Sequence, residues 1–330
     1  MKGLDLDRLR AHLGSERELT GRMFAGGRSN LTYAITDGEH RWVLRRPPLG
    51  HVLPTAHDMV REHRVLEALS KAGFPAPRPV LLCTDPEVIG APFYLMEHVD
   101  GTIYREVTAL RAMGPPAMRS LAFSLVDTLA DLHALDPAAI GLADFGRPEG
   151  FNERQVRRWK KQLDASRSRD VAGIDELHAR LAVDIPAGGP GAVVHGDFRL
   201  DNVLIGPELQ INAVLDWEMS TLGDPLSDVA LMLIYAELPL QVAGGRANAP
   251  IAVPGHPAVA ELAARYAERS LRDVGDLQWY VGFAAFKLAV ILEGVHYRYV
   301  QGQTVGAGFE TIGEMVGPLV MRGHEALEGN

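Results

Sequence analysis

The chain has one cysteine, Cys83, in 330 residues, so it cannot close an intramolecular disulfide, and one thiol cannot build a structural zinc site. Its longest apolar stretches, FAAFKLAVIL and ALMLIYAELPL, are too short or too interrupted by charge to read as membrane spans. The opening MKGLDLDRLRAHLG has no apolar run of the kind that directs secretion. Positive charge is also scarce: 33 Lys+Arg stand against 42 Asp+Glu, a net charge of −9, which argues against electrostatically driven nucleic-acid binding. Low-complexity tracts and internal repeats are absent as well. The expectation is a cytoplasmic protein with neither a nucleic-acid nor a membrane partner; its oligomeric state is left open.

What is present describes a chain that folds throughout, with 47% hydrophobic and 23% charged residues. Single cores stop growing near about 250–300 residues, so 330 residues predict two lobes. Charge divides the same way. Residues 1–98 carry 13 basic and 12 acidic groups, whereas 99–330 carry 20 and 30. The expected domains are an N-terminal lobe, 1–98, suited to meeting an anion, and a C-terminal lobe, 99–330.

Periodicity fills in the lobes. Leu6, Leu9 and Leu13 before Gly14 predict a short amphipathic helix. The segments LTGRMF (19–24), LTYAIT (31–36) and HRWVLR (40–45), separated by the AGGRSN turn and by Asp37-Gly38, predict a small antiparallel sheet. One long helix follows, with Thr55 as its N-cap and Gly73 as its stop, and PVLLC (79–83) and PFYLMEHV (92–99) add two strands. Beyond residue 99 the pattern turns helical, notably over 120–135, 154–167, 259–270 and 278–299.

Chemistry concentrates in one block. His195-Gly196-Asp197 is followed by Asn202, and Asp216 returns after two short strand-like runs, Val203–Ile205 and Ile211–Leu215. Two carboxylates and an amide oxygen are hard donors of the kind Mg²⁺ accepts, with waters and phosphates completing its shell. Transfer of a phosphoryl group to a hydroxyl needs such a set: one carboxylate to take the acceptor's proton, and an Asn/Asp pair to hold metal against the nucleotide. In the first lobe, Gly26, Gly27, Arg28, Ser29 and Asn30 join two strands, where glycine lets backbone approach phosphate and N–H, Ser and Asn groups can bind it. Arg45 at the end of a strand and Glu62 inside the long helix can form an ion pair aimed at those phosphates.

On these residues the chain resembles the aminoglycoside phosphotransferase and choline-kinase-like superfamily, small-molecule kinases with a protein-kinase-like fold. The likeness covers about residues 20–300 and is carried by HGDFRLDN, LDWE with GDPLSD after it, GGRSNLTY, and FYLMEHVDG. VLRRPP, REHRVLEAL and ILEGVHYRYVQG are most similar to the branch that occurs fused to acyl-CoA dehydrogenases. The resemblance implies an α+β, two-lobed, protein-kinase-like fold: a small antiparallel-sheet lobe with one long helix, then a larger, mainly helical lobe. It implies Asp197 as catalytic base, Asn202 and Asp216 as Mg²⁺ ligands, and His195 as a brace of the catalytic loop. Glu97 and Val99 would offer backbone hydrogen bonds to adenine, with Met96 and Leu204 against the ring. Asp224 and Asp228 would brace a loop and a helix start.

Arg45 stands where the family pattern has a phosphate-contacting lysine; its planar fork keeps the charge but changes the reach. Arg45→Ala is expected to weaken nucleotide binding with little loss of thermal stability, Arg46 being the alternative contact. Lys287, His296 and Arg298 are candidates for the border of the acceptor cleft. The function expected is ATP- and Mg²⁺-dependent transfer of the γ-phosphate to a hydroxyl of a small metabolite, of hydroxyacyl-CoA or aminosugar type. The alternatives are a catalytically silent nucleotide-binding protein of the same fold and, less favoured, a protein kinase. Asp216 opens Asp-Trp-Glu rather than a DFG-to-APE activation segment, which counts against the latter.

Overall fold

The structure is a computed structural model that describes residues 1–24, 30–49, 57–238, 241–242, 245–246, 249–304 and 308–329. These residues divide into two compact units. The first comprises Met1–Ile103, Ala138–Leu142 and Asn202–Ser220; the second comprises Tyr104–Pro137, Ala143–Asp201 and Thr221–Asn330.

The first unit is built on a five-stranded antiparallel sheet of β1 (Thr20–Met23), β2 (Leu31–Thr36), β3 (Arg41–Arg46), β4 (Pro79–Cys83) and β5 (Phe93–Glu97), in the order β1-β2-β3-β5-β4. Alternation along the strands buries one face: Tyr33, Ile35, Leu44, Phe93 and Leu95 join Leu9 of helix α1 (Leu6–Leu13) in one apolar cluster. Asp5 caps α1 by accepting from the Asp7 and Arg8 N–H groups, and Gly14, in the left-handed region, ends it. Helix α2 (Met59–Lys71) packs against β4 and β5. Its cap is Asp58, which accepts from the Arg61 N–H. The expected cap, Thr55, lies outside the described residues.

Two further strands, β7 (Val203–Ile205) and β8 (Ile211–Val214), form an antiparallel hairpin that belongs to this unit. It is tied there by the Val214 N–H to Pro75 O bond at 2.8 Å, by the Thr102–Ile205 bridge and by Phe74 edge-on to Trp217. Gly101 is needed for that approach: a Cβ there would sit 2.9 Å from the Leu204 side chain and 3.2 Å from Ile205 backbone.

The second unit is mainly helical. Leu277–Val300 is its axis, packed against Val316–Glu328, Leu226–Glu237, Phe151–Ser166 and Ile174–Val183. This helix is long and apolar enough to cross a membrane by length and composition, which the charge-interrupted stretch FAAFKLAVIL did not lead us to expect; 72% of its most apolar window is buried inside the protein. Gly282 and Gly323 allow the close crossing with Val316–Glu328, since a Cβ at 282 would fall 3.3 Å from Gly323 O and one at 323 would fall 3.4 Å from Gly282 O. Strands β6 (Ala192–Val194) and β9 (Thr221–Gly223) pair antiparallel beside these helices. The antiparallel sheet with its long helix, followed by a helical unit, is the kinase-like fold the sequence led us to expect.

Candidate active site

In the first unit, Arg45 closes β3 opposite Tyr94 of β5 and reaches Glu62 of α2, with Nε 2.8 Å from Oε2. The strand-to-helix pair read from sequence is therefore formed. It is deeply buried, the Arg45 side chain being 12% exposed and Glu62 only 2%. Tyr94 donates to Glu62 Oε2 at 2.9 Å, and Asn30 Nδ2 donates to Glu62 Oε1 at 2.9 Å and to Glu218 Oε2 at 3.0 Å. Arg45 Nη2 also contacts Asp216 Oδ1 and lies 3.5 Å from Glu218 Oε2.

One guanidinium thus faces three carboxylates. Burial pushes Glu62 up to about 7, against the opposing pull of Arg45 and the Tyr94 hydrogen bond. Burial would also lower the Arg45 pKa, but Tyr94, Glu62, Asp216 and Glu218 together more than reverse it, so the guanidinium stays charged. This corrects one expectation. Removing Arg45 strands a buried carboxylate, so Arg45→Ala must cost stability as well as any nucleotide contact. Arg46 points elsewhere, donating to Ile89 O at 2.9 Å and to Gly3 O.

The hairpin register sets the metal-ligand candidates side by side. The Leu215 N–H donates to Asn202 O at 2.8 Å, which extends the β7–β8 ladder by one step and brings Asn202 next to the Leu215-Asp216 turn. Asp216 takes a left-handed backbone, φ 67°, which is uncommon for a non-glycine residue and concentrates at functional sites. Among the described residues no group of three or more His, Cys, Asp or Glu side chains forms a metal cage. Mg²⁺ needs none, because it commonly keeps water and takes phosphate oxygens around one or two carboxylates. The oxygens of Asp216 and Asn202, with Glu218 two residues on, fit that ion.

The adenine candidates lie along the same unit. Met96 is buried in β5, while Glu97, Val99 and Leu204 are half-buried. The Glu97 N–H is already donated to Arg78 O at 2.9 Å, which limits any adenine contact by that residue to its carbonyl. Gly27, Arg28 and Ser29 lie outside the described residues. Asn30 is described, and its amide faces Glu62 and Glu218.

In the second unit, β6 delivers His195, Gly196 and Asp197. His195 is fully buried and its Nδ1 accepts from the Asp197 N–H at 3.2 Å. Asp228, also buried, accepts from the N–H groups of His195 (2.5 Å) and Gly196 (2.8 Å). Burial raises the Asp228 pKa, but His133 and His195 outweigh it, and the carboxyl is held below its ordinary value. His133 Nε2 lies 3.5 Å from Asp228 Oδ2, close in distance but not directed as a hydrogen bond. Asp224 accepts from the Leu226 N–H at 3.0 Å and from Tyr280 at 2.6 Å, at the start of the Leu226–Glu237 helix.

Asp197 Oδ1 accepts from the Tyr235 hydroxyl at 2.6 Å. Sequence reasoning missed this tyrosine, whose signal was a lone phenol in the apolar run LSDVALMLIYAE. Lys287 is not at an open cleft border as anticipated: its ammonium donates to Gly196 O at 3.1 Å and lies 5.7 Å from the centre of the Trp159 ring. Burial lowers its pKa, partly offset by Asp228 and Asp197. His296 is half-buried beside Gly313, and Arg298 is exposed.

A model of the phosphotransferase enzyme family matches residues 20–262. The chain belongs to that family. It is 38% identical to acyl-CoA dehydrogenase family member 11 of Gallus gallus over 314 residues, which is 93% of this chain and 40% of that protein. It is 36% identical to acyl-CoA dehydrogenase family member 10 of Mus musculus over 296 residues, 88% of this chain and 28% of that protein. The chain thus spans less than half the length of these curated relatives. A crystal structure of a candidate aminoglycoside phosphotransferase from Ralstonia eutropha JMP134 superposes with a TM-score of 0.84 at 32% identity, covering 98% of each chain. A thermostable mutant of aminoglycoside phosphotransferase APH(4)-Ia, in ternary complex with AMP-PNP and hygromycin B, shares the fold at a TM-score of 0.64 and 16% identity, covering 98% of this chain and 99% of that one.

Proposed function

We propose that this phosphotransferase is an ATP- and Mg²⁺-dependent kinase that moves the γ-phosphate to a hydroxyl of a small metabolite. Residues 1–98 would form most of the nucleotide-holding lobe, and 99–330 the lobe that carries the base and receives the acceptor. The observation that carries this reading is the β7–β8 hairpin, whose register puts Asn202 beside Asp216 in its left-handed turn.

Asp197, its loop held by Asp228 and Lys287, orients the acceptor hydroxyl and takes its proton. The acceptor oxygen then forms its bond to the γ-phosphorus, the bond to the β,γ-bridging oxygen breaks, and ADP leaves with that electron pair. Asn202 and Asp216 would hold Mg²⁺, which supplies neutralisation of the phosphate charge when bound. Arg45, kept charged and aimed by Glu62, contributes a guanidinium for the phosphates. Placement and electrostatics, rather than covalent chemistry by the protein, carry the acceleration.

Of the two acceptor classes, a hydroxyacyl-CoA type fits better than a cationic aminosugar. Arg154, Arg157, Arg158 and Lys161 line an open groove of about 440 Å³ along the Phe151–Ser166 helix, and Arg158 is one of the charges acting on Lys287. Their positive charge would suit an anionic ligand more than a cationic one.

The test is ATP consumption against hydroxyacyl-CoA species, aminoglycosides and choline analogues, with and without EDTA. Mg²⁺-dependent consumption with a hydroxylated acceptor is expected. ATP binding without turnover on any acceptor would favour the silent nucleotide-binding reading instead.

A further inference from the structure

We propose that Tyr235 is a positioning residue for Asp197: its hydroxyl donates to Oδ1 and fixes the orientation of the carboxylate that takes the acceptor's proton. The proposal rests on the reading of Asp197 as the base.

Four observations carry it. First, the Tyr235 hydroxyl donates to Asp197 Oδ1 at 2.6 Å, a short bond of the charge-assisted kind. Second, Tyr235 lies seven residues after Asp228 on the Leu226–Glu237 helix, two turns on and on the same face. One helix face therefore holds the catalytic loop twice. Asp228 takes the backbone N–H groups of His195 and Gly196, and Tyr235 takes the side chain of the next residue. Third, the ring is clamped. The Arg199 guanidinium stacks 4.5 Å from its centre and is itself paired with Asp201. Fourth, burial and the neighbouring Asp197 charge both raise the Tyr235 pKa, so the phenol remains a donor wherever the enzyme works.

The ionisable groups around Asp197 include Tyr235 from this helix, His195 and Arg199 from its own loop, and Lys287 from the Leu277–Val300 helix. Among them Tyr235 contributes a neutral donor. It orients the carboxylate without cancelling its charge, as a directly paired arginine would. In the transfer step the acceptor O–H bond breaks and the proton binds the Asp197 carboxylate. The oxygen's electron pair forms the new bond to phosphorus, while Oδ1 keeps its bond from Tyr235.

Tyr235→Phe keeps the ring under Arg199 and removes only the hydroxyl. The kcat for Mg²⁺-ATP-dependent transfer is expected to fall about ten-fold, the price of roughly one charge-assisted hydrogen bond, with the nucleotide KM unchanged. The acid limb of the kcat–pH profile should move to higher pH, because the carboxylate loses a donor that favours its charged form. An unchanged kcat and an unmoved limb would overturn the proposal. A second measurement needs no turnover: 3-fluorotyrosine placed at 235 and followed by ¹⁹F NMR. Its ¹⁹F resonance at neutral pH should shift in an Asp197→Asn background, where the hydroxyl loses its charged acceptor, and no shift also overturns the proposal. Failure of the underlying reading has a different signature: full turnover by Asp197→Asn removes the base, whatever the fluorine signal does.

Discussion

The two carboxylate centres of this protein are stabilised in opposite ways. Around Arg45, three carboxylates from α2 and the segment after β8 share one buried guanidinium, with Asn30 and Tyr94 filling the remaining acceptor positions. Around Asp197, the carboxylate meets a neutral phenol, and the loop is held by backbone N–H groups and one lysine. The first arrangement has negative charge in excess, which suits a cation and its phosphates. The second fixes a single carboxylate with a neutral donor, the arrangement the proposed proton transfer would use. Under the proposed function the two centres would divide the work, ligand holding at the first and proton transfer at the second, and their electrostatics differ in the corresponding sense.

Breaking the first centre should have the largest effect on stability. Arg45→Ala leaves Glu62 buried without its counter-charge and is expected to cost about 3–5 kcal/mol in urea unfolding. A loss below about 1 kcal/mol would mean that the pair is solvated and that the contrast between the centres is overstated.

The same centre predicts a pH dependence. Glu62 titrates at about 7 in the folded chain against an ordinary 4.5, so the folded state binds this proton more tightly. Its contribution is fully present below about pH 4.5 and is lost as pH rises through 7, by up to about 3 kcal/mol. Glu62→Gln should flatten that descent, measured as thermal midpoint against pH in metal-free protein. An identical slope in the variant would assign the dependence to another group.

Asp228→Asn sharpens the second centre. The amide offers one acceptor oxygen where the carboxylate gives one to each of two backbone N–H groups, so a loss of about 1–3 kcal/mol is expected. The kcat should fall with it while nucleotide affinity holds. If affinity falls and kcat does not, Asp228 serves the other function. The smallest effect belongs to the exposed Arg41–Asp100 pair, where Arg41→Ala should leave the unfolding midpoint unmoved.

Much of this was legible in the chain itself. Alternation predicted the five strands, Gly73 marked the end of α2, and the HGD…N…D spacing identified the β7–β8 hairpin. What the sequence hid had local causes. The cap of α2 fell to Asp58, since an aspartate next to the first turn competes well with a threonine farther back. The Ile174–Val183 and Val316–Glu328 helices were not among the expected segments, although their apolar residues recur at helical spacing and pack on the Leu277–Val300 helix. Tyr235 drew no reading, because one phenol in an apolar helix is silent until its partner, 38 residues away, is known. Lys287 was expected at the border of the acceptor cleft. Its partner is a backbone carbonyl, which no side-chain pattern announces.

The most direct test of the whole account is Asp197→Asn, compared with the unchanged protein for Mg²⁺-ATP binding by calorimetry and for phosphoryl transfer on an acceptor from the panel. The account predicts nucleotide affinity within a few-fold and a kcat lower by about 10²–10⁴. Near-normal kcat with intact binding would contradict it.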